Sequence, residues 1–173
     1  MRCETRPAGA QRAPVTARVK RYHRPANLDE LWAVWDDDPA ARPVAGGTDL
    51  MVRVGAGIEV PEALVSLRSV EELHGIELTD EGITIGAATA VRDVIDHDGL
   101  AAELPVLVQA ARRLGSPQIR NVATVGGNLG NASPCADTAL PLLVHDAQVE
   151  LRSRDGARRL PLEAFFVGPS VTA

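Results

Sequence analysis

Gly115-Ser-Pro-Gln-Ile-Arg-Asn-Val-Ala-Thr-Val-Gly-Gly-Asn-Leu-Gly-Asn-Ala-Ser-Pro-Cys-Ala-Asp137 is the densest run of backbone-permissive residues in this 173-residue chain. A short β-branched run, Val122 to Val125, leads into Gly126 and Gly127, and Asn128 follows directly. Adjacent glycines let a backbone turn sharply and let a ligand approach the amides. Successive N–H groups facing one concavity bind phosphate oxygens. Asn128 adds a side-chain amide that both donates and accepts. A lone Gly-Gly is an ordinary turn, so a second observation must carry any further reading.

That observation is a counterpart upstream. Pro43-Val44-Ala45-Gly46-Gly47-Thr48-Asp49-Leu50 repeats the plan: a short apolar run, Gly-Gly, then a small polar residue. Two separated diglycine turns, each ending an expected strand, suggest a diphosphate held between them. Neither is a Walker loop, because no Gly-Lys-Ser/Thr is present, and neither is a Gly-x-Gly-x-x-Gly fingerprint.

These motifs carry a resemblance. The chain resembles the FAD-binding (medium) subunit of the molybdenum hydroxylases, the xanthine dehydrogenase and carbon monoxide dehydrogenase group, whose FAD domain is of the p-cresol methylhydroxylase type. The resemblance runs from about Val19 to Pro169. It includes Tyr22-His23-Arg24-Pro25, Ala45 to Leu50, Ile85-Gly86-Ala87, Ile119 to Asp137 and Phe165 to Pro169.

Composition narrows the alternatives. The chain is 45% hydrophobic and 24% charged, as globular domains are. No apolar run reaches the roughly 20 residues of a membrane span, and the N-terminus lacks the apolar core of a secretory signal. The first 24 residues hold seven of the 18 basic residues and one of the 23 acids. The other 149 residues therefore carry 11 basic and 22 acidic side chains, a net charge of −11. An acidic body repels a phosphate backbone, and 3% aromatics offer little base stacking, so no nucleic-acid partner is expected. Residues 1–18 read as a disordered basic tail. Cys3 and Cys135 cannot supply four thiolates to an iron–sulfur cluster, and the four histidines show no metal-ligand spacing. Cys135 reads as a small buried apolar residue.

Along the chain, Lys20 to His23 is extended and Asn27 caps a helix, with Glu30 in the capping-box position. Leu28, Leu31, Trp32 and Trp35 share one face. A strand at Pro43 to Ala45, a short helix from Leu50 capped by Thr48 or Asp49, and a strand at Ala63 to Leu67 follow. That order makes a small α/β unit over residues 19–75. The pattern then alternates. Ile76 to Thr79 and Ile83 to Ile85 flank a three-residue Asp80-Glu81-Gly82 loop. Helices are expected over Ala90–His97, from Pro105 to Leu114 with Gly115 as the stop, and over Ala139–Val144. A second hairpin turns at Asp155-Gly156. Residues 76–173 form an α+β unit with a mostly antiparallel sheet, giving a two-subdomain α+β fold.

No nucleophile, base or paired carboxylates stand in evident mutual reach, which suits a chain whose cofactor does the chemistry. By resemblance, that cofactor is FAD. The resemblance assigns Val44, Ala45, Gly46, Gly47, Thr48, Asp49 and Leu50 to the pyrophosphate. Thr124, Val125, Gly126, Gly127 and Asn128 form the second phosphate site. Asp137 accepts from a sugar hydroxyl, and Leu114 lies against the adenine.

It also implies partners: a molybdopterin-binding large subunit, a small subunit with two 2Fe–2S clusters, and an electron acceptor such as NAD. The setting is cytoplasmic. The implied function is electron transfer from the clusters through FAD to that acceptor. The rival reading is a truncated, non-catalytic interaction domain that keeps the fold without flavin. A free-standing FAD oxidase would need a substrate domain for which the chain has no room. The family's medium subunit continues past Phe165 to Pro169 and adds a C-terminal domain. Ser170 to Ala173 depart from its pattern, which implies a truncated or split subunit with an incomplete isoalloxazine half.

Overall fold

The computed structural model describes residues 19–173, so the expected tail over residues 1–18 lies outside the described residues. The first strand, β1 (Arg21–His23), stops before Pro25, and Asn27 opens α1 (Leu28–Asp37). Asn27 Oδ1 accepts from the Glu30 amide at 2.9 Å, as its cap role requires. Glu30 reaches back to the Ala26 amide at 2.7 Å, one residue earlier than a capping box assigns. Leu31 is buried, and half-buried Trp35 donates Nε1–H to the Ala41 carbonyl at 2.9 Å. The apolar stripe of α1 is therefore core.

Next come β2 (Arg42–Val44), α2 (Leu50–Ala56) and β3 (Ala63–Ser66), completing the expected strand–helix–strand–helix–strand order. Both β1 and β2 pair with β3 in parallel, in the order β1-β3-β2. All four residues of β3 are buried, as a central parallel strand's are. Leu31, Ala41, Ala63, Val65 and Val70 form the core of this unit. At its edge, Arg21 Nε donates to Asp38 Oδ2 at 2.9 Å, and that bond is the main cause holding the Asp38 carboxyl below its usual range.

The remainder is helical at its centre. A hairpin, β4 (Ile76–Thr79) with β5 (Gly82–Ile85), turns on two residues rather than three. Gly82, at φ 143°, sits opposite Thr79 and begins the return strand. Six helices follow: α3 (Val91–Asp96), α4 (Asp98–Glu103), α5 (Pro105–Arg113), α6 (Pro117–Arg120), α7 (Val125–Gly130) and α8 (Ala139–Val144). Two further hairpins enclose α9 (Leu162–Phe165). They are β6 (Gln148–Ser153) with β7 (Gly156–Pro161), and β8 (Phe166–Gly168) with β9 (Val171–Thr172).

The mixed α+β class stands, and the second unit's strands all pair antiparallel, but as separate two-stranded hairpins rather than one sheet. The reason lies in the core. Buried side chains of α3, α4, α5, α7, α8 and α9 fill it, while the hairpins add alternate half-buried residues such as Ile76, Ile83, Val149 and Leu151. An ion pair between Arg154, at the tip of β6–β7, and Asp36 of α1 links the two ends of the chain.

Candidate functional site

The two diglycine segments meet where the first unit abuts the second. In the first, β2 ends at Val44, whose carbonyl accepts from the Leu67 amide at 2.9 Å. From Ala45 to Asp49 the chain runs free. Among the described residues, none of these five amides donates to a protein acceptor. The loop carbonyls are used instead: Gly47 accepts from Met51 at 3.0 Å and Asp49 from Arg53 at 3.0 Å.

Gly46 is required by packing. A Cβ there would stand 2.0 Å from the Val122 carbonyl oxygen and 2.9 Å from Ala123 Cα, so the loop lies flush on the backbone that precedes the second diglycine. Gly47 is required by conformation, with φ at 70°. Leu50, half-buried, starts α2. The expected cap is missing, since no side chain accepts from the first turn of this seven-residue helix. Unpaired amides in a loop are the kind of donors that hold an anion.

The second segment departs from expectation. Thr124 does not extend a strand into a turn; it caps α7, and Val125, Gly126, Gly127 and Asn128 lie in that helix. Strand character survives only in the antiparallel bridge between Thr124 and Ala90. The first-turn amides, which a helix leaves without internal partners, are all taken. Val125 donates to the Thr89 carbonyl at 3.1 Å, Gly126 to the Ala87 carbonyl at 2.8 Å and Gly127 to Thr124 Oγ1 at 3.0 Å. The Asn128 amide donates to the Thr124 carbonyl at 2.9 Å. In this structure the glycine amides of this segment therefore bond to protein acceptors rather than standing free as expected.

Its glycines serve close approach. A Cβ on Gly126 would meet Ala87 Cβ at 2.6 Å, and one on Gly127 would meet Thr124 Oγ1 at 2.8 Å and Ala45 Cβ at 3.9 Å. Gly127 thus lies close beside Ala45 of the first loop. Neither Gly126 nor Gly127 has positive φ.

Several polar side chains belong to or neighbour these two segments. Thr124 Oγ1 accepts from Gly127, and its proton has no protein acceptor among the described residues. Asn128 Oδ1 accepts from the hydroxyl of fully buried Thr138 at 2.6 Å. Thr138 begins α8 but caps nothing, so its hydroxyl is committed to Asn128. The Asp137 side chain is exposed and makes no hydrogen bond or ion pair with the described residues, leaving both oxygens to accept. Asp49 has a counter-charge: Arg53 Nε lies 4.0 Å from its carboxylate and 2.8 Å from Glu59, which also pairs with Arg42 at 3.5 Å.

Leu114 packs inward. It is 7% exposed within the larger core, and its carbonyl accepts from Arg120 at 2.9 Å. Cys135 is exposed, not buried. It sits in the turn before α8, where the core side is taken by Ala136 and Ala139. Among the described residues, no group of three or more His, Cys, Asp or Glu is placed to hold a metal ion.

Sequence reasoning gave no role to Thr138, to Thr89 or to Ala87, although Ala87 stands in one of the motifs that carry the resemblance. Thr138 stands ten residues from Asn128 with no local spacing rule joining them, and the other two act through backbone carbonyls, which carry no sequence signal. A diphosphate fits what is present. Five consecutive amides, 45–49, have no protein acceptor, the loop that carries them lies flush on the second segment, and Thr124 and Asn128 keep a hydroxyl proton and an amino group without protein partners among the described residues.

The same arrangement has known relatives. A sequence model of the family described as FAD binding domain in molybdopterin dehydrogenase matches residues 16–173. The chain is 38% identical over 149 residues to the xanthine dehydrogenase FAD-binding subunit of Escherichia coli O157:H7, covering 86% of this chain and 51% of that one. It is 34% identical over 153 residues to the carbon monoxide dehydrogenase medium chain of Afipia carboxidovorans, covering 88% and 53%. Among solved structures, carbon monoxide dehydrogenase from Hydrogenophaga pseudoflava superposes with a TM-score of 0.85, at 30% identity over 89% of this chain and 54% of that one. Quinoline 2-oxidoreductase from Pseudomonas putida 86 gives 0.84 at 29% identity, covering 88% and 53%. The chain spans about half the length of the curated relatives it matches. It belongs to the family of FAD-binding domains of molybdopterin dehydrogenases.

Proposed function

We propose that this chain holds the diphosphate of FAD on the Ala45–Asp49 loop and serves as the flavin-bearing electron-transfer component of a molybdopterin-dependent dehydrogenase or hydroxylase. The observation that carries the reading is the row of unpaired amides on a loop pressed flat by Gly46. Amide donors with no protein partner stabilise an anion without first breaking other bonds. Thr124 donates its hydroxyl proton to the same anion, and Asn128 adds its amino group. The Asp137 carboxylate accepts from a ribose hydroxyl, and Leu114 supports the adenine end from within the core. Residues 19–75 and 76–173 act as two subdomains that meet along this slot.

When bound, FAD would supply the redox chemistry, as the electron carrier between iron–sulfur clusters and NAD or another acceptor. This chain's residues bind and orient the dinucleotide. In this reading the clusters and the molybdenum cofactor lie outside these 173 residues, whose two cysteines cannot ligate a cluster. Relatives described as subunits or medium chains support such partners. The complex is cytoplasmic. Among the described residues, no helix is long and apolar enough to cross a membrane.

Titration of the purified chain with FAD, FMN and ADP tests this. FAD and ADP are expected to bind and to compete, and FMN to bind at least about tenfold more weakly, since it lacks the diphosphate. A colourless chain that binds neither FAD nor ADP would instead mark a non-catalytic interaction domain.

A further inference from the structure

Asn128 offers a ligand two opposite chemistries, an accepting Oδ1 and a donating Nδ2. Next to a diphosphate, only the second stabilises. The structure commits the first elsewhere: Thr138 donates its hydroxyl to Asn128 Oδ1 at 2.6 Å. Thr138 is fully buried. It occupies the cap position of α8, yet no first-turn amide of that helix bonds to its side chain. Its hydroxyl is therefore free of the usual local role and spans from α8 to α7. The Asn128 Nδ2 group has no protein partner among the described residues. A buried donor fixed on Oδ1 also stops the amide from flipping, because the reversed amide would leave a buried hydroxyl proton unmatched.

We infer that Thr138 is a positioning residue, which holds the Asn128 side chain with its amino group presented to the phosphate oxygens of the bound dinucleotide. The inference rests on the reading that the diglycine slot takes a diphosphate. Thr138 itself touches no ligand.

The experiment is calorimetric titration of ADP into the full chain, with thermal unfolding recorded alongside. Thr138→Val keeps the shape and removes the hydroxyl, and is expected to weaken ADP about tenfold. Thr138→Ser restores the donor and should return affinity to within about twofold of the parent. Asn128→Ala should also cost about tenfold, and adding Thr138→Val to it should cost no more, because the hydroxyl acts only through Asn128. Asn128→Asp keeps an acceptor for Thr138 but turns the presented group into an anion. It should weaken ADP about a hundredfold or more while unfolding near the parental temperature.

Parental affinity in Thr138→Val or in Asn128→Asp would overturn the inference. So would losses that multiply in the double variant. A parent chain that fails to bind ADP would overturn the diphosphate site as well. If Thr138→Val does not fold, Asn128→Asp decides.

Discussion

Gly46-Gly47 and Gly126-Gly127 look alike in sequence and do opposite things in the fold. The first pair lies in an open loop, where five consecutive amides have no protein partner. The second pair lies in the first turn of α7, where four consecutive amides all have one. Gly47 uses positive φ; Gly126 and Gly127 do not. What they share is closeness of backbones: Gly46 against Val122 and Ala123, Gly126 against Ala87. A diglycine is thus evidence of close approach, and only the hydrogen-bond account of its amides says whether a ligand or the protein is approaching. Here one pair lies among amides left free and the other spends its amides on the protein; in the proposed site the first is the cradle and the second the wall beside it.

Adding a methyl group at each position separates the roles. Gly46→Ala should have the largest effect. Its Cβ would sit 2.0 Å from a backbone oxygen that no rotamer can move, so we expect a loss of about 3 kcal/mol or more in stability and no measurable ADP binding. Gly126→Ala meets Ala87 Cβ at 2.6 Å and should cost about 2 kcal/mol. ADP affinity there should fall only as far as the fold is displaced. Gly47→Ala adds the left-handed penalty of about 1–2 kcal/mol. Its Cβ meets the movable Met51 side chain at 3.1 Å, so the chain stays folded while the re-aimed amides lose ADP affinity by about tenfold.

Gly127→Ala should be the mildest. The helix gains about 1 kcal/mol from losing a glycine and gives back a similar amount as Thr124 is pushed from its cap. Stability should stay within about 1 kcal/mol of the parent, with a several-fold loss of ADP affinity from the methyl group in the gap toward Ala45. Thermal unfolding and ADP titration of the four variants check the series. If Gly127→Ala proves as destabilising as Gly126→Ala, the second pair is all scaffold and no wall.

Much of this was legible from residues alone. The parallel unit followed from helical spacing in α1, and its cap from Asn27. Two of the three hairpins followed from alternation around Gly82 and Gly156, and α8 from a short apolar run, whereas β8–β9 was not foreseen. What failed was α7. Val-Gly-Gly-Asn is poor helix sequence by propensity, and its β-branched approach reads as a strand. The helix forms because Ala87 and Thr89 carbonyls, some 37 residues earlier, take the Gly126 and Val125 amides, and Thr124 closes the first turn. Tertiary partners decided that element, and no local pattern announces them. Thr138 was hidden for the same reason. Cys135 misled because free cysteines are usually buried, whereas here the neighbouring alanines fill the core.

Amide hydrogen exchange with and without FAD tests the central claim most directly. Amides of residues 45–49 have no protein acceptor and should exchange fast in the free chain, then slow markedly when FAD or ADP is bound. Amides of residues 125–128 should be protected in both states and change little. Protection that appears at 125–128 on ligand binding, with 45–49 left unchanged, would contradict the account and return the phosphate to the second diglycine.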